Sequence, residues 1–250
     1  MYIIAPIVIA AIFILTLTNP VFTKKDTSIS VDIEKNNLQK HVNFLCKIDP
    51  PRSYENTASL NTVADYIAET FNKQGLETTR QHYADDAFKF QNIIATYLPE
   101  KEERVVLGAH YDVCGPYSGA DDNASGVAGL LEIARLIASE KPDLAYGIDF
   151  VAYSTEEPPY FRSDLMGSAV HADSLKTEET KVKLMIVLEM IGYFNDEPNS
   201  QTYPIPALKY LYPTKANFIA LIGRTKELGA VRHSKKFMLK SVDIRVKSIN

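Results

Sequence analysis

Apolar and polar positions change period several times along the chain, and those changes mark out its elements. Residues 2–18 (YIIAPIVIAAIFILTLT) are apolar almost without a break, and the first charged side chain is Lys24. Residues 19–37 are polar. Leu38, Val42 and Leu45 then recur at helical spacing within 38–47, until Pro50-Pro51 ends the pattern. A second helix is predicted from Asn56 or Thr57 to about Gln74, with Val63, Ile67 and Phe71 on one face and Gly75 as its stop. Residues 78–83 and 88–98 alternate like paired strands, and 104–109 reads as a short buried strand. An amphipathic helix over 124–139 carries Leu130, Leu131, Ile133, Leu136 and Ile137. A strand over 146–153, a helix over 168–174 and a strand over 183–188 follow. Beyond a loop at 195–214, rich in Pro, Asn and Tyr, come one more strand (218–223) and a helix (225–239).

Strand, helix, strand, helix, strand at this spacing describes βαβ units. The expected fold class is therefore α/β: a mostly parallel mixed central sheet flanked by helices, with an apolar N-terminal segment. The expected organisation is an anchor or signal segment over 1–23, a linker over 24–37 and one domain over 38–250. The apolar run is near the lower limit for crossing a bilayer, about 17–25 residues, and also suits the core of a secretory signal. No basic residue precedes it and no clear Ala-x-Ala site follows, which favours an uncleaved anchor. A membrane partner through residues 2–18 is thus expected, with the domain outside the cytoplasm, anchored or exported.

Charge narrows the function classes. The net charge is −4, from 31 acidic against 27 basic residues, with no long basic run. Nucleic-acid binding, which needs clustered Lys and Arg, is excluded as a reading. Two cysteines, Cys46 and Cys114, are too few for a disulfide scaffold.

The candidate chemistry sits where apolar runs end. His110 follows the strand at 104–109, Glu156-Glu157 the strand at 146–153, and Glu189 the strand at 183–188, while Asp122 stands ahead of the helix at 124–139. In open α/β sheets, sites form beyond the carboxyl ends of the strands, so these positions can converge. Asp122 and Asn123 alone could be a helix cap, and Glu156-Glu157 acidic residues at a helix start. Glu189 closing an apolar strand is harder to place, because a lone carboxylate there is poorly solvated. One histidine and several carboxylates in one pocket suit a divalent metal such as zinc.

Five motifs in order, His110-Tyr111-Asp112, Gly119 to Gly126 (GADDNASG), Ser154-Thr155-Glu156-Glu157, Met166-Gly167-Ser168 and Leu188 to Tyr193 (LEMIGY), make the resemblance specific. The chain resembles the di-zinc aminopeptidase family, which includes bacterial leucyl aminopeptidases and aminopeptidase Y and is related to glutaminyl cyclases and glutamate carboxypeptidase. The resemblance runs from about residue 38 to the end. It implies two zinc ions bridged by Asp122, with His110 and Glu189 on one and Glu157 on the other. It implies that Glu156 is the general base and then acid, that Asp112 orients the His110 ring, and that the Asp122-Asn123 bond is cis. Peptides with a free amino terminus would be the substrates. Two positions depart from the family pattern. Glu189 stands where Asp is frequent, and the family's last zinc ligand, a histidine near the carboxyl terminus, lies in a region this chain does not reach before Asn250. The second ion is therefore expected to be one ligand short. Three readings follow: a zinc aminopeptidase, a non-catalytic remnant or binding module, and a glutaminyl-type cyclase.

Overall fold

In the computed structural model, which describes residues 4–26, 28, 31–241 and 243–250, the N-terminal apolar run forms helix α1 (Ile4–Thr18). At 1.5 Å per residue its 15 residues reach about 22 Å, short of the roughly 30 Å hydrocarbon core of a bilayer. Among the described residues no helix is long and apolar enough to cross a membrane. The transmembrane expectation for residues 2–18 is not supported, and residues 2 and 3 of that run lie outside the described residues.

Helices α2 (Lys35–Cys46) and α3 (Thr57–Lys73) come next, close to the bounds their periodicity predicts. The α3 stripe of Leu60, Val63, Ala64, Ile67 and Phe71 is almost fully buried. Strands β1 (Glu77–Ala84), β2 (Lys89–Tyr97) and β3 (Glu103–His110) precede α4 (Gly126–Glu140). Strand β4 (Gly147–Tyr153), α5 (Gly167–Thr177) and β5 (Lys181–Val187) complete a βαβαβ run. The five strands form one mixed sheet in the order β1-β2-β4-β3-β5. β1–β2 and β2–β4 are antiparallel, whereas β3 runs parallel to both β4 and β5.

Side chains alternate across this sheet, as the pleat requires. Leu107, Ala109, Phe150 and Ala152 point into the main core with α3 and α4, while Val106, Val151 and Tyr153 pack on the other face with Leu175 of α5. The crossover from β3 to β4 through α4 and the crossover from β4 to β5 through α5 therefore lie on opposite faces of the sheet. The neighbouring carboxyl ends of β3 and β4 thus form a topological switch point, where a crevice opens between diverging connections.

The chain divides into two compact units, Asp32–Gly192 and Met1–Val31 with Tyr193–Asn250. The second unit contains β6 (Phe218–Ile222), α6 (Leu228–Ser241) and β7 (Arg245–Ile249). β6 pairs in parallel with β7, a strand the periodicity did not reveal. The ammonium of Lys235 on α6 donates to the Thr18 and Asn19 carbonyls and to Ser248 Oγ. It thereby satisfies carbonyls that the end of α1 would leave unpaired.

Candidate metal centre

The site lies in the Asp32–Gly192 unit at the carboxyl ends of the three parallel strands. His110 is the last residue of β3, opposite Tyr153 at the end of β4, and is 2% exposed. Its Nδ1 stands 3.3 Å from Asp112 Oδ1, which fixes Nδ1 as the protonated nitrogen and leaves Nε2 to face the crevice. Around Nε2 stand Asp122 Oδ1 at 3.0 Å, Glu189 Oε2 at 3.5 Å and Glu156 Oε2 at 3.8 Å. One donor atom each from His110, Asp122 and Glu157 lies within 4.8 Å of the others, close enough to share an ion. The positions singled out from sequence do converge.

Each carboxylate is delivered by local backbone chemistry. Asp122 sits in an irregular turn, Ala120–Ser125, that leads into α4, with a cis bond between Asp122 and Asn123. The turn opens at Gly119, whose φ of +61° suits glycine; a Cβ there would lie 2.3 Å from the Asp122 carbonyl oxygen. Glu156 and Glu157 follow β4 through Thr155, a fully buried β-branched residue at φ +57°. Such a residue is strained in this left-handed region and keeps the conformation only under surrounding constraint. Here the Thr155 hydroxyl donates to the Leu165 carbonyl and lies 2.8 Å from the Tyr83 hydroxyl. The adjacent Ser154 N–H donates to Asn92 Oδ1.

Asp112 does more than orient the imidazole. Its two oxygens also accept the backbone N–H groups of Glu156 (3.1 Å) and Glu157 (3.0 Å). One carboxylate, 1% exposed, thus ties the end of β3 to the acidic turn after β4. Asn123 plays the equivalent part toward β5, donating to the Leu188 carbonyl at 2.8 Å and to Glu189 Oε2 at 3.3 Å. Its Oδ1 accepts the Gly126 N–H. Sequence reasoning gave Asn123 as a helix cap and part of a cis bond but not as a tie to Glu189, and it overlooked Tyr83 and Asn92, because their partners are distant in the chain.

The electrostatics describe a site short of positive charge. Burial would lower the His110 pKa, but Asp112, Asp122 and Glu189 around the ring outweigh it and hold the pKa at about 12. Glu157 is pushed up to about 7 by burial and by the neighbouring Asp122 charge, and burial raises Glu156 as well. Asp122 is held below the usual carboxylate range by the His110 ring. The buried His110 Nε2 and Asp122 Oδ1 face each other without a hydrogen bond. Orphaned polar atoms of this kind are costly to bury, and a divalent cation between imidazole and carboxylates satisfies both. The donor set fits zinc. A cation also inverts the local balance, favouring neutral imidazole and ionised carboxylates.

Residues 92–224, more than half of the chain, match Peptidase family M28. The chain belongs to family M28. This M28 chain is 48% identical over 221 residues to Uncharacterized protein YfbL of Escherichia coli (strain K12), spanning 85% of itself and 67% of that protein. It is 26% identical over 181 residues to the Probable leucine aminopeptidase of Trichophyton verrucosum, covering 67% of itself and 48% of the relative. The M28 chain thus spans about half the length of the leucine aminopeptidases it matches. Among solved structures, a Porphyromonas gingivalis glutaminyl cyclase matches with a TM-score of 0.58 at 28% identity, over 68% of this chain and 63% of that one. The Legionella pneumophila LapA aminopeptidase shares the fold, with a TM-score of 0.69 at 20% identity over 87% of this chain and 55% of that one.

His171 on α5 pairs through Nδ1 with the Tyr153 hydroxyl at 3.0 Å, on the face served by α5; in the other unit His233 is exposed on α6 beside Phe237.

Proposed function

We propose that this M28 chain carries the catalytic centre of a zinc-dependent aminopeptidase that removes amino-terminal residues from peptides. The observation that carries the reading is the convergence of buried His110 Nε2 and Asp122 Oδ1, 3.0 Å apart and without a hydrogen bond, with Glu156, Glu157 and Glu189 around them. In this reading His110, Asp122 and Glu189 hold one zinc ion, and Asp122 and Glu157 contribute to a second. Zinc held there supplies the Lewis acidity that amide hydrolysis requires near neutral pH.

The protein's own groups do the rest. Glu156, its Oε2 3.8 Å from His110 Nε2 and not a ligand in this reading, is the group that would take a proton from the attacking water and return it to the leaving amine. Asp112 holds the backbone of Glu156 and Glu157, so the base and a ligand move together. A substrate's free amino group would find the surrounding carboxylates complementary. An extracytoplasmic setting is proposed with this activity, on the strength of the apolar run at residues 2–18 alone; fractionation of expressing cells checks it.

The direct test is Glu156→Gln, assayed on amino-acid p-nitroanilides with zinc content measured in parallel. The variant should keep its metal and lose about 10²–10⁴-fold in kcat, the range of a general base. Undiminished turnover would refute the role of Glu156. Zinc binding without turnover in the unaltered protein would instead favour a binding module. The likeness to the Porphyromonas gingivalis glutaminyl cyclase supports a second reading, cyclisation of amino-terminal glutamine. Peptides led by Gln and by Leu separate the two: pyroglutamate formation from the first without cleavage of the second marks a cyclase.

A further inference from the structure

Arg52 lies between α2 and α3 and is only 1% exposed. Among the described residues no carboxylate forms an ion pair with it. Its guanidinium is instead spent on backbone carbonyls. Nε donates to Tyr111 at 2.7 Å, Nη1 to Leu45 at 3.1 Å and to Ser118 at 2.6 Å, and Nη2 to Gly119 at 2.9 Å. The Arg52 carbonyl in turn accepts the Val113 N–H.

Two of these segments carry the metal centre. Tyr111 stands between His110 and Asp112, and Ser118-Gly119 opens the turn that delivers Asp122. The charge of Arg52 also acts on Asp112 and Asp122. Burying an unpaired guanidinium merely to fill a core is costly, since an apolar side chain of similar volume would serve as well or better. Only arginine offers a rigid planar fork whose donors diverge toward carbonyls on several sides; a lysine ammonium concentrates its donors at one point.

We propose that Arg52 is a positioning residue for the metal centre. By clamping the 111 and 118–119 carbonyls, it sets the separation between His110 Nε2 and Asp122 Oδ1. This inference rests on the metal-site reading above.

The test compares Arg52→Lys with Arg104→Lys in the full chain. Arg104 is another buried arginine, at the opposite end of β3 from His110, where its Nε donates to Asp149 at 2.9 Å. It therefore reports the general cost of disturbing a buried arginine. Zinc affinity is measured by competition with a chromophoric chelator, and ligand geometry by the visible spectrum of the cobalt(II)-substituted protein. Arg52→Lys should lose about 10–100-fold in zinc affinity, as is usual when a group supporting metal ligands is removed, and should show an altered cobalt spectrum. Arg104→Lys should keep both. An Arg52→Lys protein with unchanged affinity and spectrum overturns the inference. If Arg52→Lys does not fold, Arg52→Gln is measured in its place; if neither folds, the residue serves the core alone and the inference falls. Absence of zinc binding by the unaltered protein would sink the metal reading itself, a result distinct from selective loss at Arg52.

Discussion

Replacing Asp112 by Asn separates a ligand-orienting role from a ligand role. The carboxylate accepts three N–H groups: Nδ1–H of His110 at 3.3 Å and the amides of Glu156 and Glu157 at 3.1 and 3.0 Å. Asn keeps the shape but turns one acceptor oxygen into an NH2 donor. Whichever way the amide faces, one buried donor then opposes another, at a cost of about 1–3 kcal/mol for an unsatisfied buried group. That range corresponds to roughly a 5–150-fold change in an equilibrium constant and overlaps the 10–100-fold loss typical when a partner behind a metal ligand is removed. The assay is zinc affinity together with kcat/KM on a leucine p-nitroanilide, with near-ultraviolet circular dichroism to verify folding. A folded Asp112→Asn protein with zinc affinity and kcat/KM both within about twofold of the original would refute the reasoning.

Chelation should abolish peptidase activity and lower Tm. Restoring zinc to about 100 times its Kd should return about 2.7 kcal/mol of stability, read by thermal denaturation; an unchanged Tm would argue against a resident ion. His41 is buried against the Tyr66 hydroxyl at 2.7 Å, and burial lowers its pKa from an ordinary 6.5 to about 4. Its contribution to stability is therefore complete above pH 6.5 and is lost as pH falls toward 4, because the unfolded chain accepts a proton that the folded chain refuses. Urea unfolding at pH 7 and pH 5 should show this decline, and it should be shallower in His41→Asn. Gly126→Ala would place a Cβ 2.3 Å from Asn123 Oδ1 and 2.5 Å from the Leu188 carbonyl oxygen. It should cost about 1–3 kcal/mol as an overpacked site and weaken zinc binding, measured by denaturation and metal competition.

Local signals in the sequence were dependable where a single element decides the outcome. The α3 face of Val63, Ile67 and Phe71 and the short apolar run at 104–109 predict what is buried, since such a pattern is a property of one helix or strand. The ligand positions were legible because βαβ order places strand ends together whatever the exact pairing. Strand order was not legible. Nothing local to residues 89–97 says that β2 pairs antiparallel with β4, and nothing local to 245–249 says that β7 pairs with β6. Arg52 was missed for a similar reason: its four acceptors are backbone carbonyls, which every residue possesses and which leave no compositional trace. The apolar run at residues 2–18 matched a membrane span in composition, but among the described residues no helix is long and apolar enough to cross a membrane.

The parallel arrangement of β4, β3 and β5 has a consequence for biosynthesis. His110, Glu157 and Glu189 lie beyond three strands joined only through whole helical crossovers, so they meet only after all three strands have paired. A nascent chain that has emerged as far as Glu157 already carries His110, Asp122 and Glu157 at and beyond the ends of two strands that pair with each other, but it lacks Glu189, and β5 does not yet flank β3. In the proposed reading the centre gains its last carboxylate, Glu189, in a separate step, when β5 joins the sheet beside β3.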